Sequence, residues 1–231
     1  MKNESATNRI LTIKYSLRDI AVLAFFRCFS FLSVSSRTRA KHFDINEREW
    51  ESYTKKHPND KYIEQQNAMK DLYYGRRYRA DYNSCELIAL YNALVALKDT
   101  SLINNSFPSL IQAFEKKGIT CGGAFGTSPY EIIHFLKSAG YKVTCVRYRK
   151  YNKVFQNIGD MYDTFILVTY NNALTVKDMI HTMCITKEDG QYHIHNDYEG
   201  NKTYSSLSDA VSGYKNGKSR MIMLICVSKD C

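Results

Sequence analysis

Cys85 is the residue of this chain whose position is best suited to nucleophilic chemistry. Residues 85–97 are apolar on nearly every face, which is typical of a helix buried in a core. A thiol in the first turn of a helix is expected to have a lowered pKa and to supply a thiolate nucleophile. Asn83 or Ser84 could cap this helix through a side-chain oxygen. Cys85 is therefore the candidate nucleophile, although free cysteines also commonly pack as small core residues.

The base that such a nucleophile needs is predicted in a hairpin further along the chain. Two strand patterns flank the turn at residues 188–190. His181 begins the first strand, and Asn196 and Asp197 close the second, so the hairpin brings them together. We expect His181 to act as the general base and one of the two closing residues to orient its ring.

The length of the turn decides which closing residue accompanies His181. If residues 189–190 form a two-residue turn, His181 shares a face of the hairpin with Asn196. If residues 188–190 form a three-residue loop, His181 lies directly opposite Asp197. Both loops are common in hairpins, so the spacing leaves both arrangements open.

The remaining elements indicate how these residues are positioned. Helical patterns dominate up to residue 138, and strand patterns dominate after it. This order predicts an α+β fold, in which a central buried helix packs on an antiparallel sheet. The glycine-rich loop at residues 121–127 either lines the substrate groove or only connects two helices.

Three segments are expected along the chain: a basic and apolar N-terminal extension at 1–45, a helical connector at 46–78 and the main domain at 79–231. Residues 1–80 hold 16 Lys and Arg against 9 Asp and Glu, whereas the remainder holds 16 against 14. This near-neutral remainder argues against nucleic acid as a partner. The extension reads as an amphipathic or poorly ordered arm, as an export or membrane-associating segment, or as the product of a start codon placed too early.

The cysteines also restrict the chemistry. The chain has 7 cysteines and no C-x-x-C pair, which argues against a zinc site or a disulfide framework. Their apolar surroundings favour a reducing compartment and predict a cytoplasmic location, with export or membrane association through residues 1–45 as the alternative. We expect no metal and no cofactor. The expected partner is a peptide or protein substrate, and the extension offers contact with a membrane surface.

Taken together, these motifs resemble the papain-like cysteine peptidase fold, and most closely the C39-like peptidases. The resemblance covers roughly residues 80–228, and its motifs are Cys85 on a buried helix, His-Thr-Met-Cys-Ile from His181, and His-Ile-His-Asn-Asp ending at Asp197. It implies that Cys85 is the nucleophile, His181 the base and Asp197, rather than Asn196, the orienting residue. Arg79 stands where the family has its oxyanion glutamine, and Asn83 is the implied substitute.

The resemblance implies a cysteine peptidase or amide hydrolase that uses a Cys-His-Asp (or Asn) triad and a thioester acyl-enzyme. Two alternatives stay open. Glu86 beside the thiol disfavours a thiolate, which would suit a catalytically inactive papain-like fold that acts as a peptide-binding module. The same triad could also transfer an acyl group, as an acyltransferase does.

Overall fold

The structure, a computed structural model, describes residues 17–30, 33–104, 106–147, 157–171, 179–197, 200, 202–214 and 219–229. The helices are α1 (17–29), α2 (Ser36–Lys56), α3 (Ala80–Asn83), α4 (Cys85–Ala96), α5 (Phe107–Lys116), α6 (Pro129–Ser138), α7 (157–161) and α8 (Leu207–Gly213). Short 3-10 helices cover Gln66–Met69, Thr100–Ile103 and Cys121–Gly123.

The strands are β1 (Tyr141–Arg147), β2 (Thr164–Asn171), β3 (Ile180–Glu188), β4 (Gln191–His195), β5 (Thr203–Tyr204) and β6 (Ser219–Lys229). They form one sheet in the order β1-β6-β2-β3-β4-β5, and every neighbouring pair is antiparallel. The predicted α+β class with an antiparallel sheet is confirmed.

The sheet separates two hydrophobic clusters. Helix α4 packs against β3 and β2, and Cys184 and Ile166 reach the first cluster on that face. Met183 and Ile185 of β3 belong instead to the second cluster, together with α8. Successive side chains of a strand leave opposite faces, so β3 contributes to both clusters. The helix that begins with Cys85 is therefore central and buried, as predicted.

The turn between β3 and β4 has two residues. Glu188 pairs with Gln191, and nothing but Asp189 and Gly190 lies between them. Both turn residues have positive φ angles, 50° and 77°, which is the geometry of a type I′ turn. That turn follows the right-handed twist of the strands, so it is favoured over a three-residue loop here.

This register corrects one prediction about the hairpin. With the two-residue turn, the side chain of Asn196 lies on the same face of the hairpin as that of His181. The prediction that Asp197 lies directly opposite His181 is therefore wrong. The residue that the register would place opposite His181 is Tyr198, which lies outside the described residues. The ladder ends at His195, because Asn196 has a left-handed φ of 64° that turns the chain away from the strand.

The N-terminal segment is built into the domain. Helix α2 runs through the predicted boundary between residues 45 and 46, so that boundary is wrong. His42 Nδ1 lies 3.0 Å from Glu115 Oε1 of α5, and both side chains are buried. The backbone of Val34 donates to the Glu115 carbonyl at 2.9 Å, and Leu23 of α1 lies in the first cluster.

The predicted helical connector at 46–78 is helical only in part. Helix α2 ends at Lys56, and the 3-10 turn at Gln66–Met69 is the helical part of the connector that follows. Asn92 of α4 explains the difference, because its amide bonds both polar backbone groups of Ile63 at 2.9 Å. Within the described segments, no helix has the length and hydrophobicity that crossing a membrane requires.

Candidate active site at Cys85

Cys85 is the first residue of α4, and its helix start is not capped in the predicted way. The side chain of Ser84 does not cap α4; its hydroxyl donates to the Ala80 carbonyl at 2.5 Å instead. Helix α3 ends directly before α4, so that hydroxyl finds its acceptor in the preceding turn. The first turn of α4 therefore has no side-chain cap.

The Cys85 sulfur faces two backbone donors. The N–H groups of Thr182 and Glu86 are both directed at it. Strand β4 ends at His195, which pairs with Cys184 of β3. Thr182 lies two residues beyond this last pair, and its N–H is directed at the Cys85 sulfur. The thiol therefore lies beside β3, just beyond the end of its ladder with β4.

Burial controls the protonation of the thiol. It raises the pKa of Cys85 well above the ordinary value, and the charge of Glu86 raises it further. The two N–H groups lower the pKa, but burial outweighs them. The prediction that the helix start lowers this pKa is therefore wrong for the resting molecule, in which the thiol is neutral.

Glu86 is the buried carboxyl next to that thiol. It accepts from its own N–H and from the N–H of Thr127, and it shares a hydrogen bond with Cys85. Burial raises the pKa of Glu86 to about 7. A Cβ atom at Gly126, whose φ is +62°, would lie 2.5 Å from Glu86 Oε2. Only glycine leaves room for the carboxylate at this point of the loop.

Asn83 does not supply the oxyanion donor that was predicted. Its amide nitrogen donates to the Tyr74 carbonyl at 3.1 Å and to the Gly123 carbonyl, so both amide hydrogens are used. The donors that face the sulfur are the backbone N–H groups of Thr182 and Glu86. Asn83 Oδ1 is buried and has no hydrogen-bond partner among the described residues.

A cavity of about 360 Å³ opens beside Cys85, and we call it the Cys85 cavity. The side chains that wall it are mainly apolar or aromatic: Ala21, Val22, Phe25, Phe26, Tyr82, Ala124, Phe125, Tyr170, Met179 and Ile180. Asn83, Cys85 and Glu86 add its polar groups, and Gly126 completes the lining. The glycine-rich loop therefore lines the candidate groove, which is one of its two predicted roles.

The wall formed by α1 was missed by sequence reasoning. The ring of Phe25 packs edge-on against that of Phe125, with 4.8 Å between the ring centroids, and both residues line the cavity. Arg18 sits 3.6 Å above the Tyr170 ring, and Asp19 forms an ion pair with Arg220 of β6. The apolar run in the sequence was interpreted as a separate extension, because nothing local indicates which surface covers it.

His181 lies within the hairpin as predicted, and its ring is fixed on the side of the second cluster. Its Nε2 lies 2.8 Å from the backbone oxygen of Asn196, and its ring stacks on Tyr214 at 6.2 Å. The contacts described for the thiol are with Thr182 and Glu86. The thiol–imidazole pair therefore stays a prediction.

Asp197, the other closing residue, is buried at the end of the hairpin. Its backbone oxygen accepts from Gln65 Nε2 at 3.1 Å, which ties the hairpin to the connector. Because the turn has two residues, Asp197 does not lie directly opposite His181, and the register does not support Asp197 as the carboxylate that orients the His181 ring.

A second buried histidine joins the same connector to the sheet. His195 Nδ1 lies 2.8 Å from Glu64 Oε1, and its Nε2 lies 2.8 Å from Thr186 Oγ1. The Tyr62 ring covers it at 4.0 Å. No sequence pattern indicates this chain of contacts, because Glu64 is distant in sequence and carries no motif.

Comparison with protein-family models and with curated proteins finds no match for this chain. In the described part of the chain, no group of three or more His, Cys, Asp and Glu side chains could hold a metal ion. The assignment of a function therefore depends on the geometry of the Cys85 cavity.

Proposed function

We propose that this chain is a cysteine hydrolase of peptide or amide bonds, with a papain-like, C39-like fold and Cys85 as its nucleophile. One observation carries the proposal: the thiol stands at the start of α4, beside a cavity, with two backbone N–H groups directed at its sulfur. Such donors stabilise a thiolate, which is the nucleophilic form of cysteine.

In the proposed reaction, the Cys85 sulfur attacks the carbonyl carbon and the thiol proton passes to a base. The carbon–nitrogen bond then breaks, the amine leaves with that proton, and a thioester remains. Water attacks the thioester, which releases a carboxylic acid and restores the thiol. Peptides and proteins are the proposed substrates.

The proposed base is Nδ1 of His181. A backbone oxygen can only accept, so the contact with Asn196 places a hydrogen on Nε2 and leaves the lone pair of the neutral ring on Nδ1. His181 directly precedes Thr182, whose N–H meets the sulfur. The reaction requires the ring, which stacks on Tyr214 on the side of the second cluster, to leave these contacts and reach the thiol of the helix that packs on the opposite face.

A second candidate is a peptide-binding module without turnover. The raised pKa of the Cys85 thiol favours it, because a neutral thiol is a poor nucleophile. The contacts of His181 with Asn196 and Tyr214 favour it as well. In that case the Cys85 cavity would bind the same peptides and release them unchanged.

A panel of fluorogenic peptide amides separates the two candidates. We expect turnover by the unmodified chain, its loss in Cys85→Ala, and a fall of about a thousandfold in His181→Ala. Cys145→Ala, which changes an exposed thiol, should leave turnover unchanged. Turnover that survives Cys85→Ala would exclude this nucleophile, and binding without turnover in every variant would favour the module.

A further inference from the structure

Helix α1 carries an apolar stripe on the side that faces away from the domain. Its inner side is buried through Leu23 and Phe26. Five exposed residues follow helical spacing on the opposite side, and we call them the outer stripe: Leu17, Ile20, Ala21, Ala24 and Cys28. None of the five is charged, and Leu17 and Ile20 are 64% and 55% exposed. A helix that faces water normally carries polar and charged residues on its outer side, so the outer stripe is unusual.

The charged residues at the start of α1 are turned towards the protein instead. The guanidinium of Arg18 lies 3.6 Å from the centre of the Tyr170 ring, and Asp19 forms an ion pair with Arg220 of β6. These contacts and the buried side chains of the inner side fix α1 on the sheet. The outer stripe is therefore a defined surface of the folded domain.

A basic pocket lies at one edge of the outer stripe. Arg27 is exposed, and it stands on the helix beside Ala24 and Cys28. A pocket of about 410 Å³, which we call the basic pocket, is lined by Arg27, Ser30, Ser33, Lys116, Lys117, Gly118 and Glu131. Its three cationic residues are exposed and outnumber its one carboxylate. A net positive pocket with serine hydroxyls suits a phosphate group.

We propose that the outer stripe and the basic pocket dock this chain on the surface of a membrane that contains anionic lipids. The side chains of the stripe enter the boundary between head groups and acyl chains, and the cations of the pocket bind lipid phosphates. Helix α1 lies flat on the surface, because its length of about 20 Å is shorter than a bilayer core of about 30 Å. This surface is independent of the proposed hydrolase function.

Charge distinguishes a membrane from a second copy of the chain as the occupant of this surface. Residues 1–80 hold 16 Lys and Arg against 9 Asp and Glu. In a symmetric dimer through the outer stripe, this excess of positive charge would face the same excess in the partner, which is unfavourable. An anionic membrane attracts the same charges.

Sedimentation with lipid vesicles tests the proposal on the full unmodified chain. One set of vesicles contains phosphatidylcholine alone, and in the other about 30% of the lipid is phosphatidylserine. We expect the partition coefficient to be about tenfold or more higher with phosphatidylserine, and to fall as the salt concentration rises from about 0.05 M to about 0.5 M. Equal partitioning into both kinds of vesicle, or no binding to either, would overturn the proposal.

Ile20→Gln tests the outer stripe. We expect it to lower partitioning into phosphatidylserine vesicles about fivefold or more, because an apolar side chain no longer enters the membrane. Leu102→Gln is the control, since Leu102 is 43% exposed in the 3-10 helix at Thr100–Ile103 and lies outside the stripe. Both substituted side chains are exposed, so both variants should melt like the unmodified chain. Equal partitioning of the two variants would contradict a role for the stripe.

The double variant Lys116→Gln, Lys117→Gln tests the basic pocket. We expect about a tenfold loss of partitioning into phosphatidylserine vesicles, as the removal of two cations near an anionic surface implies. The control Lys55→Gln, Lys56→Gln removes the same charge at the end of α2, about 30 Å from the start of that helix, and should change partitioning less than about twofold. Equal losses in both double variants would mean unspecific attraction and would contradict the basic pocket.

Sedimentation velocity without vesicles tests the other occupant. We expect the unmodified chain and Ile20→Gln to sediment alike as monomers. A dimer of the unmodified chain that dissociates in Ile20→Gln would assign the outer stripe to a second copy and overturn the proposal.

Discussion

The carboxyl of Glu86 hydrogen-bonds the thiol of Cys85, the residue directly before it in the first turn of α4. Both groups are buried, so each strongly affects the proton of the other. A charge on the carboxyl raises the pKa of the thiol. The reactivity of Cys85 and the stability of the domain are therefore both expected to depend on Glu86.

Replacing Glu86 by Gln should make Cys85 more reactive. The exchange removes the carboxylate that raises the pKa of the thiol, so more thiolate is present at a given pH. Iodoacetamide labelling followed by peptide mapping measures the rate. In the unmodified chain, the exposed Cys28 and Cys145 should react before the buried Cys85. Unchanged or slower labelling of Cys85 in Glu86→Gln would contradict this coupling.

The same substitution should change how stability depends on pH. Burial raises the pKa of Glu86 from 4.5 to about 7, so the folded chain holds this proton more tightly than the unfolded chain. The stabilisation is complete below the unfolded pKa and is lost as pH rises through the folded pKa. Glu86→Gln should match the unmodified chain at about pH 4.5 and exceed it by roughly 3 kcal/mol at about pH 8.

Urea unfolding at a series of pH values measures that difference in the free energy of unfolding. Glu51→Gln is the control, because Glu51 is exposed and pairs with Lys55 on the surface of α2. Its free energy of unfolding should follow the unmodified chain across the range. If the free energies of unfolding of Glu86→Gln and the unmodified chain differ by the same amount at every pH from about 4.5 to about 8, Glu86 does not titrate in this range.

The sequence was sufficient for the features with strong local signals. The buried run after Cys85 predicted α4, and Pro108 and Pro129 stand in the first turns of α5 and α6, where proline is typical of a helix start. The hairpin was predictable from Gly190, but its register was not, because two loop lengths fit the same residues. The other features of the site are set by contacts between residues that are distant in sequence. No local pattern relates α1 to the Cys85 cavity, or the Asn83 amide to the Gly123 carbonyl.

Asn92→Ala should destabilise the domain by about 2–4 kcal/mol, because two buried backbone groups of Ile63 lose their partners. These two bonds fix the backbone of Ile63 in the segment that was predicted to be helical. Urea unfolding measures the loss. Asn67→Ala, an exposed exchange of the same kind in the same segment, should change stability by less than about 0.5 kcal/mol. Similar losses in both variants would show that Asn92 has no special role.

Shortening the chain tests how the N-terminal segment contributes. A chain that begins at Ser33 loses the buried Leu23 and Phe26, which should cost about 3–6 kcal/mol, and it opens the apolar wall of the Cys85 cavity. It should still melt cooperatively and bind more of an apolar dye. A chain that begins at Asn46 also loses the buried contact of His42 with Glu115, and it should not melt cooperatively. If the two shortened chains melt equally cooperatively and bind the same amount of dye, the expected difference between them is wrong.

The protonation of His181 is the most direct test of its proposed role. Its Nε2 lies 2.8 Å from the backbone oxygen of Asn196, which can only accept, so the neutral ring should carry its hydrogen on Nε2. Nitrogen NMR of the imidazoles distinguishes this tautomer from the Nδ1–H form. The exposed His134 serves as the control, because it should exchange between both forms.

Substitutions at Asn196 separate its backbone from its side chain. Asn196→Gly and Asn196→Ala should both keep the Nε2–H tautomer, because the acceptor is the main-chain oxygen. The alanine variant should be less stable than the glycine variant by about 1–2 kcal/mol, since residue 196 has a φ of 64°. Loss of the tautomer in both variants would assign the orienting role to the Asn196 side chain. An Nδ1–H ring in the unmodified chain would exclude His181 Nδ1 as the base for Cys85.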